Sequence, residues 1–182
     1  MAETQGDRQA QSLFTSGYRD REGRLIARML DTPWCNGAVW SMNSMPGIAG
    51  QSTDFSGKWN ATLQQQLYGA GRSADLDGEY VDSSEGYVTD ELDFCRDHFA
   101  AADTALCFCS ATHRPAVFRG LIAFEYVRQI ARDVHAMDHL MMANSTPIQL
   151  CWLAPQLEVM GTETDWNPNG QWQPMSDGDL LF

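Results

Sequence analysis

Apolar positions along this chain fall into two rhythms. Over 59–70, Trp59, Leu63, Leu67 and Ala70 recur every three to four residues, and Gly69 and Gly71 follow as stops. That spacing predicts a helix. Residues 90–102 repeat it with Leu92, Cys95, Phe99 and Ala102. The longest such stripe, Val117, Leu121, Phe124, Val127, Ala131 and Val134, predicts a helix over 116–136, after the break at His113-Arg114-Pro115. Between these lie short apolar runs that read as strands: 78–82, 104–109, 140–144 and 157–162. A short apolar segment at 148–154 precedes the last. Nearer the start, Leu25, Ile26, Ala27, Met29 and Leu30 are followed by a stretch broken at Pro33, Asn36 and Gly37. One or two short strands joined by a turn are expected there.

Strand, helix, strand, long helix, strand, short helix, strand is an α/β order. It predicts parallel βα units, with crossovers laid over a sheet. The spacings suit an open doubly wound sheet or part of a (β/α)8 (TIM) barrel. No Gly-rich fingerprint follows a strand, so no dinucleotide is expected, and no other cofactor is implied. Residues 1–20 are polar and non-periodic and are expected to form a flexible N-terminal segment. Residues 21–182 are expected to form a partial (β/α) barrel domain. A closed barrel takes about 250 residues, and the final Ser176-Asp177-Gly178-Asp179-Leu180 reads as a capped helix just beginning. The expectation is therefore a truncated barrel.

Charge and cysteine content narrow the partners. Across 182 residues the formal net charge is −12. Nucleic acid and anionic membrane surfaces both need a basic face, so neither is an expected partner. Five cysteines, an odd number without framework spacing, read as reduced and mostly buried thiols. No apolar run has transmembrane length, and the first thirty residues lack a signal-peptide core. That pattern fits a cytoplasmic protein or a fragment of a secreted one.

Two strand-like runs end in carboxylates: Asp77-Gly78-Glu79-Tyr80-Val81-Asp82 and Leu157-Glu158-Val159-Met160-Gly161-Thr162-Glu163-Thr164-Asp165-Trp166. In parallel α/β folds, chemistry gathers where strands end. Glycoside hydrolysis needs two carboxyl groups, one to protonate the leaving oxygen and one to attack or to activate water. Asp82 and Glu163 are the expected catalytic pair. If all four strand-like runs from 78 to 162 share one sheet, they stand three strands apart, across a barrel mouth. Side-chain alternation puts Tyr80 and Asp82 on one face and Glu79 and Val81 on the other. Asp77, Glu79, Asn144 and Asp165 are expected to bind substrate, and Trp34, Trp40 and Trp166 to stack on sugar rings.

Metal readings are weaker. Cys107 with Cys109, Cys95 with His98, and His135 with His139 each lack the partners that would complete a site. Core cysteines and surface histidines are the expectation, and no metal is assigned.

These two carboxylate-ended runs resemble the strand ends of bacterial TIM-barrel glycoside hydrolases. A strand ending in Asp is similar to the nucleophile strand of α-galactosidase-like enzymes. The three-strand separation is similar to that of the larger β-glycosidase clan, where both acids are Glu. This chain has Asp at the first position and lacks that clan's Asn-Glu pair. The resemblance implies a glycosidase acting on an oligosaccharide or polysaccharide. Two alternatives stand beside it. One is a carbohydrate-binding barrel without catalysis. The other is a metal-dependent α/β hydrolase with Asp77, Asp82 and Glu163 as oxygen ligands for a hard cation.

Overall fold

The computed structural model describes residues 7–33, 35–72, 75–84, 91–144, 150–161 and 170. The chain is mixed α/β and divides into two compact units, Met1–Leu76 with Val88–Ile130, and Asp77–Tyr87 with Ala131–Phe182.

The first unit opens with helix α1 (Arg8–Ser16), within the stretch expected to be flexible. Asp7 starts it by accepting from the amides of Gln9 and Ala10, and the Gly17 amide closes it on the Leu13 carbonyl. Just past it, Tyr18 is 1% exposed and sits in the core with Met45, Ile48, Val117 and Ile122. Burial of that ring ties down a segment too polar and short to announce itself. Strands β1 (Ala27–Thr32) and β2 (Cys35–Trp40) form a two-stranded antiparallel ribbon.

Two short helices follow, α2 (Asp54–Lys58) and α3 (Ala61–Tyr68), capped at their N-termini by Thr53 and Asn60. β4 (Leu92–Asp93), β5 (Cys107–Phe108) and β6 (Pro115–Phe118) form an antiparallel sheet in the order β4-β6-β5, with α4 (Arg96–Phe99) after β4. The run over 104–109 was expected in the parallel sheet, and residues 116–118 in the long helix. Both pair antiparallel here, because Cys107 and Phe108 close on Ala116 and Pro115 through a short turn. A connection of that length permits only the antiparallel arrangement.

α5 (Arg119–Ala136) follows directly. Its buried stripe is Ile122, Val127, Ile130, Ala131 and Val134, with Glu125 among them at 1% exposed. Glu125 is accommodated because the amide and hydroxyl of Thr104 both donate to it, at 2.8 and 2.6 Å. Leu121 and Phe124, expected on the stripe, are half-buried.

The second unit holds a parallel sheet in the order β3-β7-β8, from β3 (Gly78–Val81), β7 (Leu140–Asn144) and β8 (Val159–Gly161). β7 is central, with Met141 and Ala143 fully buried. A 3-10 helix, Cys151–Gln156, leads into β8 and buries Leu153. Gly78 is required where it stands, since a Cβ there would lie 1.9 Å from the Leu140 carbonyl oxygen. At the start of β8, Glu158 accepts from the Met141 amide at 2.8 Å and from His135 Nε2 at 3.0 Å. Among the described residues the sheets hold three, three and two strands, and none closes into a barrel.

Candidate active site

The register β3 to β7 to β8 aligns three strand ends. Val81 is opposite Ala143, and Asn144 is opposite Gly161. Asp82 therefore leaves the sheet beside Asn144, and the chain continues from Gly161 to Thr162 and Glu163. Asp82 and Gly161 are thus separated by the single strand β7. The count of three strands expected from the sequence falls because the 104–109 run belongs to the antiparallel sheet.

Asp82 is exposed, and its carboxylate is held by two donors. Asn144 Nδ2 donates to Oδ1 at 3.2 Å, and the Tyr80 hydroxyl donates to the same oxygen at 3.0 Å. The Tyr80 contact bears out the alternation that places both side chains on one face. These two hydrogen bonds, with Ser83 contributing, hold the Asp82 carboxyl below the usual carboxylate range. Asn144 is fixed in turn, 7% exposed, and its carbonyl accepts from the Ser84 hydroxyl at 3.1 Å. Across β8, a Cβ on Gly161 would stand 3.2 Å from Asn144 Oδ1, so the glycine leaves room for the amide. Ser83 turns the chain away with φ 50°, a left-handed conformation costing a non-glycine residue roughly 1–3 kcal/mol.

The other expected site residues distribute as follows. Asp77 stands at the opposite end of β3, where its carbonyl accepts from the Leu140 amide. Five residues of extended chain put it about 16 Å from Asp82. Glu79 is half-buried on the face of β3 away from Asp82. Trp40 ends β2 in the first unit. Trp34, Glu163, Asp165 and Trp166 lie outside the described residues.

Compared with known proteins, the chain matches no family model, no curated protein and no solved structure. Any reading of function therefore rests on its own residues.

Sequence reading missed a second polar cluster, in the first unit. His98 was expected at the surface but is 2% exposed, with Asp93 fully buried beside it. His98 Nδ1 lies 2.5 Å from Asp93 Oδ2, and Nε2 lies 2.7 Å from the Thr15 carbonyl oxygen. Both ring nitrogens face oxygens that can accept, an arrangement that favours the charged, doubly protonated ring. Burial works against that charge, but the Asp93 hydrogen bond and charge and the Thr15 carbonyl outweigh it and raise the His98 pKa. Asp93 also accepts from the Arg19 and Cys95 amides at 3.1 and 3.0 Å and from Asn43 Nδ2 at 2.9 Å. Every polar atom of this cluster is spent internally, which makes it a brace between α1, β4 and α4. An Asp five residues before a His was the signal, and it is a weak one.

Two further features bear on alternatives. Among the described residues, no group of three or more His, Cys, Asp and Glu is placed to share a metal ion. The first unit also carries an open groove of about 850 Å³ against α1, α2 and α3. It contains none of the residues expected to act on substrate. The cysteines are free thiols, with Cys109 buried and Cys151 exposed.

Proposed function

We propose that this chain is a glycoside hydrolase-like protein, part of a (β/α)8 barrel, that cleaves a glycosidic bond in an oligosaccharide or polysaccharide with Asp82 and Glu163. The observation that carries the reading is the Asp82 carboxylate, ionised and oriented at the C-terminal edge of a parallel sheet by donors from its own strand and the next. Such a carboxylate is suited to attack an anomeric carbon or to take a proton from water. It is unsuited to be the proton donor, which needs a raised pKa.

Glu163 then supplies the proton. As the bond from the anomeric carbon to the leaving oxygen breaks, that oxygen takes the Glu163 proton. Asp82 either bonds to the anomeric carbon or deprotonates the attacking water. In the first course a water, deprotonated by Glu163, releases the sugar from Asp82. Asn144 and Tyr80 are positioning residues that keep Asp82 charged.

A panel of aryl glycosides and 2-deoxy-2-fluoroglycosyl fluorides tests the reading on the full chain. Turnover is expected with at least one glycoside, lost by at least a thousandfold in Asp82→Asn and in Glu163→Gln, and retained in Asp77→Asn. Turnover that survives Asp82→Asn overturns the assignment. A fluorosugar adduct on the peptide containing Asp82 identifies the attacking course.

A further inference from the structure

The groove of about 850 Å³ in the first unit is lined by α1, by α3 and by the chain between 51 and 58. Its volume lies within the range of small-molecule sites. α1 contributes Arg8, Gln9 and Ser12, and α3 contributes Thr62, Leu63 and Gln66, spacings that keep each set on one side of its helix. Several polar groups of the lining are already engaged in holding these elements together. Asn60 accepts from the Leu63 amide and donates to the Ser56 carbonyl, both at 3.0 Å, which ties α3 to α2. Thr53 and Ser56 cap α2 reciprocally. Thr15 donates to the Ser52 carbonyl at 2.5 Å, which ties α1 to the same stretch. Lys58 is neutralised by Asp54 at 2.7 Å.

Other polar side chains of the lining are not engaged. Arg8, Gln9, Gln51, Thr62 and Gln66 are exposed, and none of their side chains makes a hydrogen bond or ion pair among the described residues. Since Lys58 and Asp54 cancel, Arg8 carries the one charge without a counterpart among the described residues of the lining. From this arrangement we propose that the groove binds a hydroxylated organic anion, a carboxylate or phosphate group borne on a sugar-like body.

Each part of such a ligand meets a group of matching chemistry. The Arg8 guanidinium takes the oxyanion through two parallel N–H donors. Each glutamine carboxamide sets a donor beside an acceptor, and two neighbouring hydroxyls on a ring complement that pair, since each both donates and accepts. Met42 and Leu63, half-buried, give apolar surface to the C–H groups of the ring. They are the only apolar side chains among the described residues of the lining, too few to seat the side chains of a peptide. The net charge of −12 repels an anion from afar, but salt screens that field over about 10 Å, whereas Arg8 acts at contact. The groove lies wholly in the first unit and shares no residue with the site at Asp82, so this inference stands apart from glycoside hydrolysis.

The test is titration of the isotope-labelled full chain with glucuronate, a hexose phosphate, glucose, inorganic phosphate and an acidic tetrapeptide, read by NMR at the arginine Nε and glutamine side-chain amides. Saturation is expected with glucuronate or the hexose phosphate at a Kd of about 1 mM or tighter, and the tighter of the two identifies the anionic group. Glucose and inorganic phosphate should each bind at least tenfold more weakly, because each supplies half of the recognised chemistry. Arg8→Ala should weaken the sugar anion at least tenfold, and Arg8→Lys should recover part of that loss. Gln66→Ala should weaken the sugar anion but not inorganic phosphate. Arg96→Ala, which removes an exposed arginine outside the groove, should change nothing. All three replaced side chains are exposed, and circular dichroism checks that each variant folds.

No saturable shift with either sugar anion overturns the proposal, as does binding that Arg8→Ala leaves intact. Inorganic phosphate bound as tightly as the hexose phosphate overturns it in favour of a bare oxyanion contact. Glucose bound as tightly as glucuronate overturns it in favour of a neutral ligand. The tetrapeptide bound more tightly than either sugar anion overturns it in favour of a peptide groove.

Discussion

Asn144 and Asp82 are separated by 62 positions in the chain, yet the amide of one donates to the carboxylate of the other at 3.2 Å. The contact joins two adjacent parallel strands at their C-terminal ends. It is the largest influence holding Asp82 in its charged form.

Removing that donor should raise the Asp82 pKa toward the ordinary 3.8. Asn144→Ala does so by loss of the hydrogen bond, and Asn144→Asp by placing a like charge beside it. The folded pKa of Asp82 is depressed, so its stabilising effect is present above the unfolded value and lost as pH falls through the folded one. In both variants that window narrows from its lower end, so the pH-dependent stabilisation from Asp82 should shrink. A carbon-detected titration of the Asp carboxyls reads the shift directly, and the acid limb of any glycosidase activity should move the same way. An unmoved Asp82 resonance would show that the contact has no electrostatic effect.

Gly78→Ala should destabilise the second unit. Its Cβ would meet the Leu140 carbonyl carbon at 2.7 Å as well as the oxygen, and backbone cannot rotate away as a side chain can. A forced shift of this kind costs about 1–3 kcal/mol. Urea denaturation measures it, and Gly23→Ala, at φ 84° with open space around it, controls for conformational strain without a clash.

Gly161→Ala tests the site more gently. The new methyl must displace Asn144 Oδ1 by a few tenths of an ångström. Reduced chain entropy in the unfolded state offsets the cost by about 0.4–1 kcal/mol, so overall stability should change little. The Asp82 pKa should still rise as the Asn144 amide is pushed off line. A large stability loss with no change at Asp82 would mean that the glycine serves the strand pairing and not the amide.

His98 should make the first unit sensitive to alkali. Its folded pKa lies above the ordinary 6.5. Its contribution is therefore full below about pH 6.5 and is lost as pH rises through the folded value. Denaturation midpoints at pH 6 and pH 9 should differ, and the difference should shrink in His98→Ala. That variant also strands Asp93 as a buried charge, at a cost of about 3–5 kcal/mol at neutral pH. Equal midpoints in the wild-type chain would contradict an imidazolium at this position.

The strands of the parallel sheet were legible because each is a compact apolar run ended by polar residues, as Ala143-Asn144 and Val81-Asp82 show. The body of α5 was legible from Val127, Ala131 and Val134. What sequence could not give was pairing. Val117 fits both a helical stripe and a strand, and what decides for the strand, its own partner Asp93 and the Cys107 that pairs with Ala116 beside it, is distant in the chain or hidden in another run. The same ambiguity placed residues 104–109 in the wrong sheet. Asn144 was seen as a site residue, but its attachment to Asp82 depends on register alone. His98 was overlooked because a single histidine carries no periodicity.

The pairing of β3 with β7 joins segments that enclose Val88–Ile130, the later part of the first unit, between Gly78–Val81 and Leu140–Asn144. Closing so long a span must be paid in chain entropy before any ladder bond rewards it. The β1–β2 ribbon, closed across a few residues, faces no such delay. On a ribosome the ribbon can form as soon as it emerges, whereas Asp82 waits without its partner until some sixty further residues have been made. The oriented carboxylate is thus a late product of folding. Slow growth between residues 82 and 144 would lengthen the time for which the edge of β3 stands open to other chains.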